Sequence, residues 1–151
     1  MERKKKSRKE LVQEQIEERG LVSFMNTTKW KELKRAVIEE MPFEPVYNIK
    51  TVDSVIDGNW SLDTSYEGHW GYLDTLEDYL SWDISATPFW AIEWIKVIPR
   101  KSEKFRKGRL FEPEIIEQID ATKQFVAILK RYNIPYEEEN GVYTIYGYRG
   151  S

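Results

Sequence analysis

Apolar residues recur at helical spacing in three stretches of the chain, and further stretches alternate as strands do. Residues 7–19 place Leu11, Val12 and Ile16 on one side, and Gly20 supplies a stop at the C′ position. That apolar stripe is thin, so the pattern predicts a peripheral helix that docks loosely or frays. A broader stripe of Trp30, Leu33, Val37 and Met41 predicts an amphipathic helix over 28–41, capped by Asn26 or Thr27 and closed by Pro42. A third helix is expected over 113–132, with Pro113 at its start, Ile115, Ile116, Ile119, Val126 and Leu129 on its apolar face, and Lys130 and Arg131 at its negative end.

Strand signals fill much of the rest. Val46 to Val52 alternates with β-branched content, Asp57-Gly58-Asn59 marks a turn, and Trp60 to Tyr66 reads as a returning strand. Residues 75–82 (TLEDYLSW) suggest one or two helical turns. The run Phe89 to Ile98 (FWAIEWIKVI) is apolar on both faces, as a central strand would be. Residues 100–109 read as a basic loop. At the C-terminus Asn140-Gly141 separates two alternating runs, 134–139 and 142–148, which predicts a β-hairpin with a type I′ turn. No βαβαβ rhythm appears. The expectation is an α+β fold, with an antiparallel or mixed sheet carrying a C-terminal hairpin and packed by two main helices plus the peripheral one. A basic extension, 1–24, precedes a single domain, 25–149.

Charge sharpens this picture. The formal net charge of −3 hides a segregation: residues 1–9 hold six basic groups against one acid, and so do residues 100–109. Between Lys50 and Lys96 there is no Lys or Arg, yet nine acids lie there, together with five of the six tryptophans. Cysteine is absent, which removes disulfides, thiolate catalysis and cysteine-ligated metals. No run approaches the roughly 18 apolar residues of a membrane span, and none follows the basic N-terminus as a secretory signal would. Cytoplasmic residence is the resulting expectation.

The chemistry-bearing residues form no recognised set. His69 is the sole histidine and lacks a Gly-x-Ser-x-Gly partner, so a surface or hydrogen-bonded role is the plainer reading. Calcium-loop spacing and both glycine-rich phosphate motifs are missing. Glu93 and Lys96, three apart on a strand, fall on opposite faces and cannot share a metal. No catalytic residue, metal ligand or cofactor is therefore assigned. The basic runs, with Phe105 inside the second, could attract nucleic acid, although short charged runs more often form solvated loops. In the acidic interval, aromatic side chains rimmed by carboxylates resemble a surface for a basic partner, where aromatics give residence time and charge gives encounter rate. The competing reading is an aromatic core under an acidic skin. The candidate partner-binding residues are Trp60, Asp63, Glu67, His69, Trp70, Asp74, Asp78 and Trp82.

The stretch Ile134 to Arg149 (IPYEEENGVYTIYGYR), with Asn26-Thr27-Thr28-Lys29-Trp30 and Ile92-Glu93-Trp94-Ile95, resembles an uncharacterised family of small bacterial proteins, a domain of unknown function typical of Bacillus-like genomes. The resemblance spans about 26–149 and carries over no functional residue. The leading expectation is a protein-binding module, of the kind of an immunity or antitoxin-like inhibitor, facing a basic protein such as a toxin. The alternatives are a nucleic-acid-associated accessory protein using 3–9 and 100–109, and a small carboxylate-dependent hydrolase near His69.

Overall fold

The computed structural model describes residues 6–54, 68–70, 78–82, 85–105 and 115–150. Helix α1 (Arg8–Arg19) begins where the Glu10 amide donates to Ser7 Oγ at 3.2 Å, and ends where Gly20 turns left-handed at φ 62°. Strand β1 (Leu21–Ser23) follows at once. Helix α2 (Thr27–Glu40) is capped by Asn26, whose Oδ1 accepts the Lys29 amide at 2.8 Å. Then come β2 (Val46–Thr51), β3 (Gly68–His69), β4 (Tyr79–Trp82) and β5 (Ser85–Pro88), and a single 3-10 turn, Phe89–Ala91, leads into β6 (Ile92–Ile98). A ribbon of β7 (Arg100–Phe105) and β8 (Ile115–Asp120) precedes α3 (Thr122–Arg131). The chain closes with β9 (Glu137–Glu139), β10 (Val142–Tyr146) and β11 (Tyr148–Gly150).

This is an α+β fold. Its main sheet has the order β2-β6-β10-β9 and every pairing is antiparallel. Tyr47, Val97 and Tyr143 share one cross-strand row, and Ile49, Ile95 and Ile145 the next. Alternation therefore puts both rows on one face, where α2 and α3 cover them with Trp30, Leu33, Val37, Phe125, Ile128 and Leu129. Each such large side chain, taken fully from water, stabilises the fold by roughly 1.5–3 kcal/mol. The hairpin is as expected: Asn140 and Gly141 both have positive φ, 53° and 79°.

Three expectations are corrected. The helix over 113–132 is instead strand β8 followed by the shorter α3. Ile115, Ile116 and Ile119 suit either period, but Asp120 ends the strand by accepting the Thr122 amide at 2.9 Å, and the helix starts there. The loop over 100–109 is strand β7 as far as Phe105, because β8 supplies a full ladder from Arg100↔Asp120 to Phe105↔Ile115. Tyr79–Trp82 is the middle strand of a three-stranded sheet, β3-β4-β5, rather than a helical turn. The turn at 57–59 and the strand at 60–66 lie outside the described residues.

The N-terminal segment is more firmly held than its thin stripe implies. Val12 is buried with Val52 and Ala91, and β1 pairs with β11 from Leu21↔Gly150 to Ser23↔Tyr148.

Candidate functional site

Of the residues expected to meet a partner, Trp60, Asp63, Glu67 and Asp74 lie outside the described residues. His69 sits in β3 opposite Ser81, and Trp82 in β4 opposite Gly68 and Ser85. Asp78 is exposed and ion-pairs with Lys31 of α2 at 2.8 Å. Trp70 is not a surface residue. Its ring meets Tyr47 edge-on at 5.0 Å, its indole N–H donates to the Pro45 carbonyl at 2.7 Å, and no part of it reaches solvent. A satisfied indole in an apolar setting is a stable core element, which is why it is sealed in. Beside it the Tyr47 hydroxyl donates to the Ser81 carbonyl, and burial pushes the phenol far above its ordinary pKa, so it stays a neutral donor.

The acids of the interval that are described share one property: each meets a cation from another segment. Arg8 of α1 forks onto Asp53, with Nε 2.9 Å from Oδ2 and Nη2 3.3 Å from Oδ1. That hydrogen-bonded guanidinium holds the Asp53 carboxyl below the usual carboxylate range. Glu93, at the start of β6, is the most enclosed, with a side chain only 10% exposed. Lys50 Nζ stands 3.0 Å from its Oε2, and Arg19 Nη1 stands 2.6 Å from its Oε1. The Arg19 group donates to the Val52 carbonyl at 3.4 Å instead of aiming at Oε1, so that oxygen has charge compensation but no directed hydrogen bond. The register of β2 against β6 slips between Lys50 and Thr51, the kind of irregularity that re-aims a side chain beside a site.

Arg19, Lys50 and Asp53 from these pairs line an open cleft of about 520 Å³ between α1 and β2, together with Leu11, Gln15 and Val52. The arrangement is a docking device: a helix carrying arginines is seated on an acidic surface. Sequence reasoning weighed Glu93 only against Lys96 and gave it no partner, although a lone acid in the otherwise apolar run FWAIEWI was the available signal, since a central strand cannot leave it unpaired. Among the described residues no three His, Cys, Asp or Glu side chains converge as a metal site would, and no helix is long and apolar enough to cross a membrane.

In comparison with known proteins, a model described as a family of unknown function, DUF6678, matches residues 12–151. No curated protein matches the chain, and no solved structure does.

Proposed function

We propose, from the premise that the chain belongs to DUF6678, a family of unknown function, that this protein is a protein-binding module whose acidic interval receives a basic partner. One observation carries the reading: the described acids of the interval recruit Arg8, Arg19, Lys31 and Lys50 from flanking elements, so the same field would draw cations on another molecule. The acids at 57, 63, 67, 74, 77 and 83 are the ones this proposal offers to the partner. Steering by a one-sign surface speeds encounter and rejects acidic competitors. An immunity or antitoxin-like inhibitor covering a basic toxin surface is the form of such a module that this charge layout suits.

The nucleic-acid alternative is less well supported. Cations it depends on have partners within the chain: Arg8 is given to Asp53, Lys9 lies 5.9 Å over the Trp90 ring, and Arg100 reaches the Gly141 carbonyl. The test is capture of a basic protein by the full chain at low and high salt. Replacing Asp63, Glu67, Asp74 and Glu77 together by Asn or Gln should weaken capture at least about tenfold and flatten its salt dependence. Capture by the quadruple variant equal to that by the natural chain rejects the interval as the binding surface.

A further inference from the structure

At the far end of the main sheet, two ribbons meet to form a notch of about 150 Å³ lined by Phe24, Pro135, Tyr136, Glu137, Tyr146 and Arg149. The hairpin of β9 and β10 supplies Glu137 and Tyr146. The β1–β11 ribbon supplies Arg149, and Phe24 is fixed where its amide donates to the Gly147 carbonyl at 2.9 Å. Three aromatic rings beside a carboxylate make a cation site, since ring faces and carboxylate oxygens both attract positive charge. The notch already receives one from its own chain. The Arg149 guanidinium lies 4.7 Å over the Tyr146 ring and ion-pairs with Glu137. Both partners of that pair are about half exposed, and Phe24 is 41% exposed, so the site faces solvent.

Beside the notch runs the outer edge of β9. Among the described strands β9 pairs only with β10, and Glu137, Glu138 and Glu139 are all exposed. In a two-residue type I′ hairpin the residues flanking the turn form the hydrogen-bonded pair, here Glu139 and Val142. Alternation then turns the backbone N–H and C=O of Glu138 away from β10, toward whatever lies alongside. No lysine guards this edge. It offers backbone hydrogen bonds flanked by negative charge.

We infer that the β9 edge and its notch dock an extended, lysine- or arginine-bearing peptide segment, whose backbone pairs with Glu138 and whose cationic side chain takes the place of Arg149 against Tyr146 and Glu137. Strand addition supplies the backbone bonds and the notch supplies selectivity. This surface is separate from the acidic interval proposed above and shares with that reading only the basic character of the partner.

The probe is a fluorescein-labelled ten-residue peptide of alternating lysine and threonine, with a glutamate-threonine peptide as its counterpart, titrated into the full chain at low salt. The lysine peptide should bind at least about tenfold more tightly than the acidic one. It should also slow exchange of the Glu138 amide about fivefold or more. Glu138→Lys with Glu139→Lys, both on the exposed edge, should abolish the preference. Arg149→Ala, which clears the notch, should tighten binding about threefold, whereas Phe24→Ala should weaken it. The quadruple interval variant should bind the peptide as the natural chain does. No binding, or equal binding of the two peptides, overturns the inference and leaves the glutamates as an edge guard only. Binding lost in the interval variant but kept in the double-lysine variant overturns it too, and leaves the proposed function standing.

Discussion

At Gly147 the chain passes so close to β6 that an added Cβ would lie 2.1 Å from the Ile92 carbonyl oxygen, while its N–H donates to the Glu93 carbonyl at 2.8 Å. Neither backbone group can move without disturbing the ladder between β10 and β6. Gly147→Ala should therefore cost about 2–3 kcal/mol, seen as a lower urea midpoint at unchanged slope. Gly20 has open space around it, so Gly20→Ala should cost only the strain of its left-handed φ, about 1–2 kcal/mol. Asp53 gives a prediction in pH. Its folded pKa is depressed by Arg8, so its contribution to stability is fully present above its unfolded value, near 4, and is lost as pH falls through the folded one. Thermal melts from pH 5 to pH 2 should lose this increment in the natural chain, and Asp53→Asn should flatten that part of the profile. Glu93 and Gly147 show what single residues conceal: the acid was visible in its apolar run, but its partners come from 74 and 43 positions upstream, too far for any local pattern to reach.

Helix α2 was legible because its signals agreed: a cap at Asn26, a stripe of Trp30, Leu33 and Val37, and Pro42 beyond the end. The β9–β10 hairpin was legible for the same reason, with Asn-Gly between alternating runs. Strand β7 was not. Its six residues, RKSEKF, carry no apolar alternation, and only the ladder to β8 makes them a strand. A pairing partner is information that a local window does not hold. The candidate site was legible in its charge and not in its packing, since composition placed Trp70 among exposed aromatics while the Pro45 carbonyl made burial favourable. For α1 the sequence showed the weak stripe but not the two arginine anchors. Replacing Arg8 and Arg19 together with Ala should raise amide exchange across residues 8–19 at least about tenfold, with α2 and α3 unchanged. Equal protection in the double variant would mean that Val12 and its neighbours hold the helix alone.

Across the whole molecule, the segregated charge and the fold are one arrangement, because Arg8 and Arg19 of the N-terminal helix reach Asp53 and Glu93 of the acidic middle that follows it. The core occupies one face of the main sheet, and the two flanks of the chain are joined through β1 and β11, with Leu21 opposite Gly150. That last pairing has a mechanical consequence. Tension applied through residues 21 and 150 enters the ribbon at a single end and peels its bonds in turn, whereas the long ladders of β6 stay unloaded until the ribbon has parted. Drawn between tethers in an optical trap, the molecule should lengthen first in a short, low-force step, and only afterwards resist as a unit.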